Sequence, residues 1–234
     1  MSTTLQTIGE NRLLAALSTE EHERLAPHME TVKLNLREIL FRPDDIISHV
    51  YFLTNSIVSL LTDLEDGMGM EVGLVGREGM VGISAILGGE ETKVATVQRE
   101  GYALRMSADR LREEFARGGS LQRALLRYTH ALMTQISQSV VCNARHRVEG
   151  RLARWLLMYR DRTDSDTFEM THEFMANMLG VRRPGVSEIA NRLQEMGLIR
   201  YQRGRIEILD REGLERLVCE CYPMVKERFD NFLL

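Results

Sequence analysis

Residues 171–209 read THEFMANMLGVRRPGVSEIANRLQEMGLIRYQRGRIEIL, and the order of residue types there decides how the rest of the chain is understood. Thr171 is placed to cap a helix, its hydroxyl accepting from a free amide one turn on, and Phe174, Met175, Met178 and Leu179 then recur at helical spacing. Ala176 is small where a second helix must cross closely, and Gly180 offers a stop at which a left-handed backbone costs little. In the helix that follows, Val186, Ile189 and Leu193 form an apolar stripe. Arg183, Ser187 and Asn191 step by four along the opposite face and point outward together, a face that fits a DNA major groove. Pro184 suits the first helical position, where its missing amide loses no partner, and it pushes Arg183 out of the helical region to the lip of the helix. Beyond Gly197, apolar residues alternate through 198–201 and 205–208 around Gln202-Arg203-Gly204, the pattern of a β-hairpin wing.

An ordinary helical hairpin packed in a core satisfies the same apolar pattern, and charge separates the two readings. Between Gly180 and Arg205 stand Arg182, Arg183, Arg192, Arg200, Arg203 and Arg205 against Glu188 and Glu195, a local +4 on a chain whose total is −4. One basic patch on an acidic protein points to a localised phosphate footprint rather than general polyanion affinity. Arg183 either forks onto a guanine or grips a phosphate. Ser187 and Asn191 lie one and two turns deeper, and Glu188 is able to accept from a cytosine amino group. Thr171, Arg182, Arg203 and Arg205 are candidates for backbone contacts.

The chain has 234 residues, 44% hydrophobic and 27% charged, which is enough for two modest cores. No apolar run approaches the ~18 residues of a membrane span and no signal-peptide pattern opens the chain, so a cytoplasmic protein without membrane contact is expected. Cys142, Cys219 and Cys221 do not form a disulfide framework and read as reduced thiols, with a redox switch at Cys142 the sharper alternative. No His-x-His pair, Gly-x-Ser-x-Gly elbow, phosphate loop or His-Glu-x-x-His helix occurs. Neither catalytic residues nor a metal or cofactor site is therefore expected, and a metal-dependent barrel enzyme is set aside.

Upstream, residues 11–17 and 19–28 carry apolar residues at helical spacing, with Ser18 and Thr19 placed to cap the second run before Glu20 and Glu21. From Thr31 to Met106 the pattern changes to short β-type runs: TVKL, EILF, HVYFL, IVSLLTDL, MEVGLVG, VATVQ and YALRM. The turn compositions Arg42-Pro43-Asp44-Asp45, Glu65-Asp66-Gly67, Gly76-Arg77-Glu78-Gly79 and Gly88-Gly89 separate them, predicting a small barrel or jelly roll that encloses a pocket. Ser107 opens a helix over 108–115. After Gly118-Gly119 a longer one begins, in which Leu121, Leu125, Tyr128, Leu132 and Gln135 or Ile136 form a heptad-like seam, read as the dimer interface. Leu126, Met133 and Val140 supply a second stripe, so that one side faces the barrel and the other a partner chain. An amphipathic helix around Val148, Leu152, Trp155, Leu156 and Tyr159, a polar segment over 161–166 and a closing helical tail over 211–217 and 219–232 complete the chain.

Taken together, the chain resembles the CRP/FNR family of bacterial transcription regulators. The resemblance rests on Arg42-Pro43-Asp44-Asp45 with His49-Val50-Tyr51-Phe52, on the run from Glu71 to Gly82, on Leu87-Gly88-Gly89, on Glu149 with Arg151-Leu-Ala-Arg-Trp155, and on the 171–208 block. It implies an α+β protein with an N-terminal β jelly-roll (double-stranded β-helix) sensor domain over 1–118, a long dimerisation helix over 119–144 and a C-terminal winged helix-turn-helix over 145–234. It also implies a homodimer on a roughly palindromic double-stranded DNA operator, an effector sensed in the barrel, and contact with RNA polymerase. A cyclic-nucleotide-like module acting on a protein partner is the alternative. Arg183 matches the arginine with which the family's recognition helix begins, whereas the Glu and later Arg that often follow are replaced by Pro184 and Glu188. Where cyclic-nucleotide-binding members hold the ligand, the match at Ala95-Thr96-Val97 keeps Gly82 but sets Ile83, Lys93 and Val94 at the Glu, Arg and hydroxyl positions. Lys93 is a point charge and Val94 donates nothing, so cyclic AMP is not the expected effector. Iron–sulfur sensing in the barrel lacks its thiolates, since no cysteine precedes Cys142. Haem would fall to His22, His28, His49 or His130, each more simply a surface or hydrogen-bonded residue.

Overall fold

Each of the seven β-type runs becomes a strand in the computed structural model, which describes residues 8–63, 69–163 and 165–233. The expected turn at Glu65-Asp66-Gly67, the end of the fourth run at Leu64, and Asp164 of the polar segment lie outside the described residues. The strands are β1 (Glu30–Leu34), β2 (Ile39–Phe41), β3 (His49–Leu53), β4 (Ile57–Asp63), β5 (Gly69–Val75), β6 (Met80–Val81), β7 (Val94–Arg99) and β8 (Gly101–Ser107). They form two four-stranded sheets in the orders β1-β8-β3-β6 and β2-β7-β4-β5, with antiparallel pairing at each described register. That is the jelly-roll arrangement the turn spacing predicts. The two-residue β6 is the strand the pattern did not reveal.

The chain divides into two compact units, one of 1–61, 73–134 and 228–234 and the other of 62–72 and 135–227. In the first, Val50, Phe52, Leu53, Ile57, Val58, Leu74, Ala103 and Leu104 are fully buried between the sheets. Asn11 is buried beside them and donates to the carbonyls of Leu53 and Gly79, both at 2.8 Å. A single helix, Gly119–Arg145, runs through residues of both units.

The structure corrects the expected use of that helix. Leu121, Leu125, Tyr128, Leu132 and Gln135, read as the dimer seam, are each no more than 5% exposed in the single chain and offer a partner nothing. Tyr128 donates to the Met80 carbonyl at 2.8 Å, and its ring lies 6.4 Å from Phe229 and 6.2 Å from Phe232. Gly79 is required there, because any side chain would run into the Tyr128 ring. Ile136 is half-buried. The stripe left open is the second one, Leu126, Met133 and Val140, exposed by 51, 62 and 60% and spaced by seven residues.

In the second unit the helix Val148–Arg160 is not amphipathic as expected: every residue from Arg151 to Tyr159 is buried. The Trp155 ring lies 5.3 Å from Tyr159, which lies 4.7 Å from Phe168, and the Trp155 indole donates to Glu71 at 2.8 Å. Phe168 belongs to a strand the sequence did not announce, β9 (Thr167–Glu169). The closing tail forms two helices, Arg211–Leu217 and Cys221–Asn231. Among the described residues, no helix is long and apolar enough to cross a membrane.

One buried acid anchors the start of the long helix. Ser18 and Glu21 form a reciprocal capping box on the helix Thr19–Leu25, and the same Glu21 carboxylate accepts from the Ser120 hydroxyl and, at 3.0 Å, from the Leu121 amide. Burial by itself raises the Glu21 pKa, but the hydrogen bonds from Ser120, Leu121 and Ser18 outweigh it and bring it from 4.5 down to about 2. A carboxylate with a lowered folded pKa stabilises above its unfolded value and loses that contribution as pH falls through the folded one. Glu21→Ala is expected to cost about 1–2 kcal/mol near neutrality, the worth of a lost helix cap. The gap to wild type in urea denaturation should close between pH 4.5 and about 2.

Candidate nucleic-acid interface and sensor pocket

The two helices quoted first form where the residue types require. Thr171 is extended and its hydroxyl accepts from the Phe174 amide at 3.1 Å, opening the helix His172–Leu179. Gly180 closes it at φ 59°, ψ 42°, the left-handed turn that lets the chain reverse. Ala176 is buried at the crossing, and Val186, Ala190 and Leu193 form the inner stripe of the second helix, with Ile189 only half-buried. That helix spans Arg183–Glu195, so it begins one residue earlier than expected: Arg182 takes the extended conformation and Arg183 is its first residue. Pro184 then sits second, where an amide is still unpaired by the helix.

The wing forms too. Strands β10 (Ile199–Gln202) and β11 (Arg205–Ile208) pair antiparallel, with β11 between β10 and β9. Arg203 and Gly204 make the two-residue turn at φ 51° and 78°; two left-handed residues match the twist of the flanking strands.

Of the six arginines counted in this region, two have acids. Arg192 lies 3.4 Å from Glu149, and Arg200 pairs across the wing with Glu207 at 2.6 Å. Arg182, Arg183, Arg203 and Arg205 are exposed and, among the described residues, have no side-chain hydrogen bond or ion pair. Four unpaired guanidiniums on the recognition helix and its wing favour an anionic partner. Asn191 and Glu188 are exposed on the recognition helix, and Thr171 is exposed at the head of the first.

Ser187 departs from expectation. It is half-buried, and its hydroxyl contacts His172 Nδ1 at 2.8 Å and the Arg183 carbonyl at 3.2 Å, so it is turned inward rather than toward a groove. His172 in turn stacks on Tyr201, ring centroids 4.1 Å apart and 17° from parallel. The Tyr201 amide donates to the Gln194 side chain at 2.7 Å. His172, Tyr201 and Gln194 thus tie both helices to the wing, a role the sequence reading missed because it sought outward residues.

In the barrel, Gly82 has φ 94° and is enclosed by Val50 and Phe41, while Ile83 heads the short helix Ser84–Leu87. Lys93 turns to Thr92 at 2.8 Å, and Val94 is buried in β7. The residue overlooked is Glu91. Its buried carboxylate accepts from the amides of Thr92 at 2.9 Å and Lys93 at 3.2 Å and from the Ser84 hydroxyl at 3.1 Å. Donors suited to a small anion are therefore already occupied by the chain's own carboxylate, and a phosphate brought there meets a like charge.

Burial, and after it the charge of Arg183, lower the His172 pKa from 6.5. A base whose folded pKa is depressed leaves the folded state holding fewer protons than the unfolded one, so its stabilisation is present above pH 6.5 and is lost as pH falls through the folded value. The apparent Tm of the wild-type chain should drop between pH 7.5 and about pH 5.5, whereas His172→Phe, which keeps a ring on Tyr201, should show the weaker dependence. Equal pH profiles would remove His172 from this role.

Comparison with known proteins agrees with this geometry. Residues 150–217 match the model of a Crp-like helix-turn-helix domain and residues 31–117 that of a cyclic nucleotide-binding domain. The transcriptional regulatory protein btr of Bordetella pertussis is 26% identical over 207 residues, covering 81% of each chain. FixK2 from Bradyrhizobium japonicum shares the fold at TM-score 0.71 and 16% identity, over 82% of this chain and 98% of that one. CLP of Xanthomonas campestris, a c-di-GMP-responsive global regulator, shares it at TM-score 0.68 and 16% identity, over 82% and 100%. The chain thus carries a cyclic nucleotide-binding domain and a Crp-like helix-turn-helix domain whose winged reader bears four exposed arginines, the make-up of a CRP/FNR-type DNA-binding transcription regulator.

Proposed function

We propose that this protein is a cytoplasmic homodimer that reads a roughly palindromic operator, with a signal other than cyclic AMP controlling its affinity. The observation that carries the DNA-reading part is the set of Arg182, Arg183, Arg203 and Arg205, exposed on the recognition helix and wing and, among the described residues, without acidic partners. Arg183, first in the recognition helix, reads a base pair, with Asn191 and Glu188 on the same helix as further readers. Arg182, Arg203, Arg205 and Thr171 hold phosphates. The two copies meet along Leu126, Met133 and Val140, a seven-residue repeat left open by the chain's own packing. A two-fold pair sets two recognition helices about one DNA turn apart.

The barrel supplies the condition. An effector that prefers one arrangement of the dimer shifts a two-state equilibrium, and the long helix with the segment near Asn143–His146 transmits it. Sensor over 1–118, helix over 119–144 and reader over 145–234 is the division of labour this implies, and contact with RNA polymerase follows from the family resemblance. Glu91, Lys93 and Val94 argue against a cyclic nucleotide held at Gly82 and Ile83, because the anion-binding donors there are taken and no arginine replaces them.

Selection of bound duplexes from a random pool, repeated with candidate effectors, tests the reading: a two-fold motif supports it, and salt-insensitive binding or no enrichment overturns it. On the selected site, Arg183→Ala should lose about 1–3 kcal/mol of discrimination at one base pair. Uniform weakening on every sequence would reassign Arg183 to a phosphate. Calorimetric titration with cyclic AMP should show no micromolar binding, and a micromolar Kd would sink the assignment of the barrel.

A further inference from the structure

All three cysteines of the chain meet one histidine in the second unit. The ligand atoms of Cys142, His146, Cys219 and Cys221 lie within 4.8 Å of one another. Cys142 Sγ is 3.6 Å from Cys219 Sγ, and Cys221 Sγ is 3.6 Å from His146 Nδ1. Zinc bonds of about 2.3 Å to sulfur and about 2.0 Å to nitrogen set neighbouring donors of a tetrahedron roughly 3.5–3.8 Å apart. The two separations fall in that interval and far from the ~2.05 Å of a disulfide. An iron–sulfur cluster divides its four protein ligands between two or more irons, which sets ligands on different irons farther apart than the 4.8 Å that spans all four here.

Two further features fit a metal and are otherwise hard to explain. The first is the orientation of His146. Its Nε2 faces the Glu220 carboxylate at 3.4 Å while Nδ1 faces Cys221, so a neutral imidazole protonated on Nε2 would direct its Nδ1 lone pair at the thiols. The second is a buried cation with unmet donors. Arg154 is 8% exposed; one nitrogen donates to Ser139 at 3.1 Å, but its Nε and its other terminal nitrogen have no partner. Its charge acts on both Cys142 and Cys221, and that of neighbouring Arg151, also buried, acts on Cys142. Buried guanidiniums short of partners are costly unless an anion lies nearby.

We propose that Cys142, His146, Cys219 and Cys221 form a Cys3His site that binds one zinc ion. Binding is a ligand exchange without oxidation: zinc displaces the three thiol protons to solvent, and three thiolates and a neutral imidazole around a dication leave one net negative charge. Arg154 and Arg151 are placed to balance it. Thiolate softness favours zinc over magnesium or calcium, and four protein ligands leave no open position, so the site is structural. It would tie the end of the helix Gly119–Arg145 to the start of the helix Cys221–Asn231.

The test uses the full chain, expressed in a bacterial cytoplasm and purified anaerobically without chelators. Elemental analysis should find about one zinc per chain, released by a mercurial thiol reagent, and cobalt substitution should give the intense visible bands of a tetrahedral thiolate site. Glu220→Gln should weaken zinc binding about 10–100-fold while leaving all four ligands in place, and Cys219→Ser should weaken it further. Three outcomes overturn the proposal: iron with acid-labile sulfide instead of zinc, a Cys142–Cys219 disulfide in the anaerobically isolated chain, or a wild-type chain that retains no zinc after equimolar addition and desalting. None of these outcomes depends on DNA binding.

Discussion

A helix of 27 residues has one face to give its own chain, and most else follows from how that face is spent. At alternating spacings of four and three, Leu121, Leu125, Tyr128, Leu132, Gln135, Ser139 and Cys142 are all buried. The row changes character along its length. Its first four members are apolar or aromatic, and burying them is worth on the order of 1.5–3 kcal/mol each for the aliphatic ones. Its last three are polar and meet groups that must be satisfied: Gln135 accepts from Arg162 at 2.9 Å, Ser139 from Arg154 at 3.1 Å, and Cys142 lies among the other thiols. Leu126, Met133 and Val140 on the opposite side stay exposed.

That division explains which parts of the molecule were legible. The strands were, because their runs of Val, Ile and Leu stand between turn residues whose backbone needs are specific, and the helix-turn-helix was, because Gly180 and the apolar steps around it leave few alternatives. The phase of the long helix was also readable, but not which of its two stripes faced inward. A heptad states a spacing, and the neighbour it packs against is a tertiary fact. Ser187 failed for a related reason. A helical wheel sets it outward, yet an imidazole one helix away draws its hydroxyl in.

The convergence of Cys142 and His146 with Cys219 and Cys221 was hidden more completely. The two pairs are more than seventy positions apart, and neither spacing is that of a familiar metal motif. The same holds for Glu91, which in sequence is one acid before a threonine and in the barrel is a built-in counter-ion for two amides and a hydroxyl. In both cases the chemistry belongs to a meeting of residues. The reader's rigidity is of this kind as well: Ser187, His172, Tyr201 and Gln194 link two helices and a wing, so less ordering remains to be done when a duplex arrives.

The tip of the wing carries a small, deliberate inefficiency. Arg203 holds a left-handed backbone that glycine or asparagine would adopt at lower cost, the difference being on the order of 1 kcal/mol. A programme that ranked substitutions by heat tolerance alone would replace it early. Such a winner would stand firmer, but what was exchanged for a relaxed bend is one of the reader's exposed positive charges, at the turn of the hairpin. Thermal screening of this family is therefore best paired with a retention assay at every round.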